Sequence, residues 1–189
     1  MSERSDAALV ALAAATRAAN AAGDPEAALA ALTRVLPDLL GDRFAHLRPG
    51  ALKAGERQFS VCGVFLLTPD GRDNLLVAEF GFPPEQHRLR IDATVGHPGW
   101  MVQHQRPLLL ANTDEHTSFT QILKTARMGS AMFAPMHWRG TYDGQLVLAS
   151  QVRNTYAGPD LDVLVAFAEV AASVWRAHDG PAWLRALVA

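Results

Sequence analysis

Hydrophobic and polar positions along the chain change period several times, and each change marks an element. Residues 5 to 22 are alanine-rich with strong helix propensity. A second helix starts at "GDPEAALAALTRVL": Asp24 is a good N-cap, Pro25 suits the first helical position, and Glu26 favours the positive end of the dipole. Leu29, Leu32, Leu36 and Leu39 then recur at helical spacing, and Pro37 should interrupt the helix. Residues 41–57 keep no period and read as an irregular connection. From Phe59 to Leu67 the chain is almost continuously apolar, as in a strand covered on both faces. "TPDGRDN" supplies a turn, Leu75–Phe80 a return strand, and "RLRID" alternates like a short strand.

The next stretch, "TVGHPGWMVQHQRPLLLANTD", frames a short helix between two glycines and a proline. Gly96 and Gly99 permit a tight approach, Pro98 suits the first turn, Met101 and Val102 face inward, and Pro107 ends the helix. "LLLA" follows as a short buried strand. A polar loop then leads into a short helix with Thr117 or Ser118 as cap. "SAMFAPMHW" reads as a strand, "RGTYDG" as a turn and "QLVLASQV" as the antiparallel return. Pro159 and Asp160 open a long helix with Leu161, Leu164, Phe167, Val170, Ala171 and Val174 along one side, and "PAWLRALVA" adds an amphipathic tail. The order predicts an α+β fold with a largely antiparallel sheet. The terminal helices should lie together on one face, and the short elements should cover the other as a lid.

Composition narrows the function classes. The chain has 189 residues, 19% of them charged, and a net charge of −2, which is a globular composition without a basic surface for nucleic acid. One cysteine, Cys62, excludes an intramolecular disulfide framework and zinc sites built on two or four cysteines. No apolar run approaches the roughly 20 residues that span a bilayer. "AALVALAAA" reads as a helix, not a secretory signal, because Arg4 is flanked by Glu3 and Asp6 and Arg17 interrupts. The expectation is a cytoplasmic protein with no membrane and no nucleic-acid partner.

Two stretches carry a resemblance. In the first, Gly96, Gly99, a short helix, Pro107, the strand Leu108–Leu110 and Asp114 follow one another. In the second, Ser130, Pro135, Gly144, Leu146, Tyr156 and Asp160 are spaced along a strand, a turn, a strand and a helix start. In order and spacing they resemble GAF domains, small-molecule-binding sensor modules related to the PAS fold. The resemblance implies a central antiparallel sheet with terminal helices on one face and lid helices and loops on the other. Residues 24–178 would form that domain, residues 1–23 a helix that can dimerise, and residues 179–189 an amphipathic tail. It also implies a ligand pocket between sheet and lid.

Seven residues are candidates for ligand contact: Trp100, His104, Asp114, His116, Phe119, Ser130 and Phe133. Trp100 and His104 lie on the lid helix, where the tryptophan is a pocket wall, an interface residue or a half-buried packing group. Asp114, His116 and Phe119 lie in the loop that borders the pocket in such proteins, where polar groups would orient a ligand. Ser130 and Phe133 begin a central strand whose alternation sends one set of side chains toward the pocket. His97, His104 and His116 do not form an i, i+4 pair or an HExxH pattern, so neither a metal site nor a haem ligand is expected.

One enzymatic branch of the family, the free methionine-(R)-sulfoxide reductases, needs a nucleophilic and a resolving cysteine in the lid half. No cysteine follows Cys62, so that disulfide cycle has no partner here, and covalent bilin attachment through a lid cysteine fails for the same reason. No catalytic residues are assigned. The expected function is a non-enzymatic sensor that binds an unidentified small molecule and passes a signal through its terminal helices to a separate output protein. A protein-interaction or dimerisation module with a closed pocket is the alternative, and an enzyme on the same scaffold comes third. The apolar first helix and Trp183, Leu184 and Leu187 of the tail favour a homodimer over termini that fold back.

Overall fold

The computed structural model describes residues 3–116 and 127–189. The helix anticipated after Thr117 or Ser118, and Phe119 with it, lie outside the described residues.

Among the described residues, six α-helices and six strands follow in the expected order. Helices α1 (Glu3–Asn20), α2 (Pro25–Thr33) and α3 (Leu36–Leu39) come first, then strands β1 (Ser60–Leu67), β2 (Asp73–Phe80) and β3 (Arg90–Asp92). Helix α4 (Gly96–His104), strands β4 (Leu108–Leu110), β5 (Ser130–Trp138) and β6 (Thr141–Ser150), and helices α5 (Gly158–Ala177) and α6 (Gly180–Val188) complete the chain. The sheet order is β3-β2-β1-β6-β5-β4, and every neighbouring pair is antiparallel. This is an α+β fold with a six-stranded antiparallel sheet.

Local chemistry sets the boundaries. The Ala27 amide donates to Asp24 Oδ1 at 2.8 Å, and Pro25 occupies the first turn of α2. The helix ends near Thr33 and restarts as α3 with Pro37 in its first turn. The β1–β2 turn closes with the Gly71 amide on the Thr68 carbonyl at 2.8 Å, and the Thr68 hydroxyl donates to Asp70 at 2.7 Å. The β5–β6 connection is shorter than the six-residue turn expected from "RGTYDG". Arg139 and Gly140, at φ 49° and 80°, make the whole loop, and Trp138 pairs directly with Thr141. Two consecutive left-handed residues match the twist of a tight hairpin, so Thr141–Gly144 is strand.

The two faces of the sheet are covered differently. On one, α1, α2, α5 and α6 form a helical layer. Cys62, Val64 and Leu66 of β1, Met132, Ala134 and Met136 of β5, and Leu146 and Leu148 of β6 meet Leu29, Leu32, Leu164 and Phe167 there. Both termini pack into this layer. Ala15 and Ala19 of α1 are buried, and the Ala19 carbonyl lies 3.0 Å from His178 Nε2. The Trp183 ring of α6 stands edge-on to Trp175 of α5, with centroids 6.0 Å apart. Leu9 and Val10 on the outer side of α1 stay exposed. No helix among the described residues is long and apolar enough to cross a membrane.

Candidate functional site

The lid face is built from the other alternation set of the same strands. Three rungs cross its centre. Phe65, Gln145 and Pro135 form the first; Gly63, Val147, Phe133 and Leu108 the second; Val61, Ala149, Ala131 and Leu110 the third. Side chains along one strand face alternate ways, so these residues share a side. Leu76 of β2 and Met101 of α4 pack against them, as do Met128, Phe59, Phe82 and Trp100. The floor is therefore small at Gly63, Ala131 and Ala149 and ringed by larger groups. A Cβ at Gly63 would lie 2.8 Å from Leu76 Cδ1, so the neighbours already fill the space that a side chain would need.

Helix α4 lies across this face. Gly96 takes φ 63°, and a Cβ on Gly99 would lie 2.5 Å from the Thr94 carbonyl carbon, so the glycines let the chain turn sharply into the helix. Burial falls along it. His97, Pro98, Gly99 and Met101 are buried, whereas Gln103 and His104 are exposed. The helix stops at His104 with Gln105 left-handed at φ 50°, before Pro107 is reached.

A polar pair sits beneath the first turn of α4. Gln145 Nε2 donates to the Pro98 carbonyl at 3.1 Å and to Asn74 Oδ1 at 3.4 Å. Both side chains are fully buried. Gln145 Oε1 and Asn74 Nδ2 have no hydrogen-bond partner among the described residues, which leaves one open acceptor and one open donor in an apolar surrounding. His97 lies close by on the same helix, its ring stacked on Phe133 at 5.7 Å between centroids. Burial, and secondarily the charge of His116, hold His97 below the usual histidine range, so a neutral ring is favoured.

The six candidates among the described residues separate into groups. Phe133 stands in the centre of the lid face. Trp100 borders that face and stacks on His104 at 4.2 Å, while the Arg106 guanidinium lies 5.4 Å from the indole. The Trp100 carbonyl is 2.9 Å from His104 Nδ1, which holds the pair on the outer side of the helix. Ser130 belongs to the opposite alternation set, with Met132 and Ala134, and its hydroxyl donates to the Val152 carbonyl at 2.8 Å. His116 is exposed.

Asp114 is held in an ion cluster. Lys53 Nζ lies 2.6 Å from its Oδ2, Arg153 Nε 3.0 Å from the same oxygen, and Arg127 Nε 3.3 Å from Oδ1. Arg153 also grips Glu56, with Nη2 at 3.0 Å from Oε1. The Lys53 hydrogen bond, reinforced by Arg153, pulls the Asp114 carboxyl down to about 2. The cluster ties the irregular 41–57 connection, the segment after β4 and the chain after β6 into one clasp. The candidates thus do not converge on one point. Asn74, His97 and Gln145 are interior polar groups that were not among them. A signal existed for Gln145, the one polar intruder in "QLVLA", and for Asn74 at the head of "NLLVA".

Cys62 is on the helical side of the sheet, fully buried, and burial pushes its thiol far above the ordinary range. It is a packing group there, turned away from the lid. Among the described residues, three ligand-type groups approach one another only at Glu26, Glu79 and His87, none of which belongs to the lid-face cluster.

Solved structures with this architecture include the GAF domain of an Acinetobacter phosphoenolpyruvate-protein phosphotransferase. It is 18% identical, with a TM-score of 0.73 over 95% of this chain and 97% of that one. The corresponding domain from Coxiella burnetii is 20% identical, with a TM-score of 0.70 over 96% and 99%. The free methionine-R-sulfoxide reductase of Neisseria meningitidis, in complex with its substrate, is 17% identical, with a TM-score of 0.73 over 95% of each chain. At these identities the likeness concerns the fold. A comparison with curated proteins returned no match. The family model of the GAF domain matches residues 24–175, spanning the sheet, the lid helix and α5, and the chain belongs to the GAF domain family.

Proposed function

We propose that the protein is a non-enzymatic sensor module that binds a small organic molecule between the lid face of its sheet and α4, and passes the change through its terminal helices. The observation that carries this reading is the Asn74–Gln145 pair: an open donor and an open acceptor, fully buried, at one end of an apolar floor. Ligand sites combine apolar walls with a few placed polar groups, and a ligand that satisfied both atoms would remove the cost of leaving them unpaired. The Neisseria reductase, solved with its substrate, shows that this fold holds a small molecule in that protein. The placement of Cys62 behind the sheet supports a binding role without thiol chemistry.

Native mass spectrometry on freshly purified protein tests the reading. The expected result is a defined extra mass that is lost in Gln145→Leu. Wild-type protein that carries no extra mass, and that no member of a neutral metabolite library stabilises against heat more than it stabilises Gln145→Leu, would overturn it.

Dimerisation is the second part of the proposal. Both terminal helices pack on their own domain, yet α1 leaves Leu9 and Val10 exposed on its outer side. That face suits a second copy of α1 in a helical bundle. Removing residues 1–23 should convert a dimer to a monomer in light scattering; an unchanged mass would count against it.

A further inference from the structure

A cavity of about 510 Å³ opens at the end of the sheet where β1 begins and β2 has ended. That is a size that takes a drug-sized molecule. Phe59 and Phe82 supply its apolar walls, Arg57 its charge, and Gln151 a buried amide. The two rings also pack against the lid-face core, so the walls are braced from behind.

The backbone that carries the exposed Arg57 side chain is anchored, and its guanidinium rests on one ring. The Arg57 amide donates to Gln151 Oε1 at 2.9 Å, and the Gln151 amide in turn donates to the Phe59 carbonyl at 2.8 Å. The Arg57 guanidinium lies over the Phe59 ring, 5.7 Å from its centroid, which orients the fork without consuming its hydrogen-bond donors. No carboxylate of the described residues pairs with it. The adjacent carboxylate, Glu56, is already committed to Arg153 and to the Lys53 amide. Across the cavity, Gly81 at φ 78° brings the backbone so close to β1 that a Cβ would lie 2.4 Å from the Ser60 carbonyl oxygen. Any other residue there would force the wall that carries Phe82 to shift.

An arginine with free donors beside two aromatic rings matches one ligand chemistry. The planar guanidinium takes a carboxylate in a two-pronged contact, and the rings take a flat apolar body. We infer that the sheet-end cavity binds a planar aromatic carboxylate, with the carboxylate on Arg57 and the ring system between Phe59 and Phe82. The site is separate from the Asn74–Gln145 pair, which lies under α4 and carries no charge.

The test is isothermal titration of the full chain with naphthylacetate and with its neutral isostere naphthylacetamide. Wild-type protein should bind the carboxylate at least about tenfold more tightly than the amide, the difference that a charge-assisted contact commonly makes. Arg57→Gln should erase that preference while leaving the weak amide affinity unchanged, and Phe82→Ala should weaken both probes. Equal affinity for the two probes, or a preference that survives in Arg57→Gln, would overturn the inference, as would the absence of saturable binding of naphthylacetate to wild-type protein whose fold is confirmed by circular dichroism. Gln145→Leu separates this site from the lid. It should leave naphthylacetate binding intact, and loss of binding in that variant alone would place the probe on the lid face and sink the sheet-end assignment.

Discussion

The two faces of one sheet are built from the same strands and do different work. On the helical side, Leu29, Leu32, Leu66, Met132, Leu148 and Phe167 are all at 0% exposure, and no buried amide interrupts them. On the lid side, Leu76 and Met101 are equally buried, but the apolar cluster is smaller and Asn74 and Gln145 sit among its groups. Each large side chain removed from water stabilises the fold by about 1.5–3 kcal/mol, so the first face holds most of the stability. The second gives up some of that for polar atoms without hydrogen-bond partners among the described residues. Natural proteins tolerate such local costs where a ligand is bound, because the rest of the fold supplies the margin.

The comparison can be broken, and the largest effect comes first. Phe167→Ala should destabilise by about 3–5 kcal/mol in urea denaturation, as truncations in dry, well-packed cores do. Phe133→Ala, in the smaller lid-side cluster, should cost about 3 kcal/mol, because fewer large apolar groups surround it. Equal losses at the two positions would mean that the faces are equally packed. Next, Arg153→Ala should cost about 3 kcal/mol, since Glu56 loses the guanidinium that pairs with it and Asp114 keeps only Lys53 and Arg127. A loss no larger than that of an exposed pair would mean that the clasp does not hold the lid side together. The double variant Asn74→Leu, Gln145→Leu should stay within about 1 kcal/mol of wild type or gain stability, because the two unpaired polar atoms that it removes offset the lost bonds between the side chains and to the Pro98 carbonyl. A large loss would show that the pair is structural and would weaken the sensor reading.

The smallest effect concerns acid. Asp114 titrates at about 2 in the folded protein against an ordinary 3.8. Its depressed pKa contributes stability that is present above the ordinary value and is lost as pH falls from about 4 through about 2. Urea midpoints followed across that window should fall less steeply in Asp114→Asn than in wild type. Parallel slopes would remove Asp114 as the source.

Much of the fold was legible because period and punctuation agree. The Asp24–Pro25–Glu26 start, the apolar run of β1 and the Gly96–Pro107 frame each name an element and its end. The β5–β6 turn was misjudged because Asp143 and Gly144 read as a turn pair, whereas the hairpin closes at Gly140 with Arg139 in the left-handed region that side-chain-bearing residues rarely adopt. The site was less legible, for two reasons. Alternation tells which residues share a face but not which face is which, so Ser130 and Phe133 looked alike and point opposite ways. Long-range ion pairs leave no local mark either: nothing near Asp114 in sequence announces Lys53 or Arg153. His97 and His104 share a helix face by spacing, yet α4 rises away from the sheet, and only the first of them is buried.

The strand order has a consequence for how the chain reaches this state. β1 pairs with β2, and β5 with β6, across tight turns, so each hairpin can form alone within microseconds. The central ladder joins Ser60 to Ser150, and none of its pairs exists until the last strand has been made. During synthesis the first hairpin therefore waits with one long apolar edge unpaired until β6, about 70 residues further along, has been made. Closing that seam, not forming either hairpin, should limit the folding rate, as expected where the decisive contacts join distant residues.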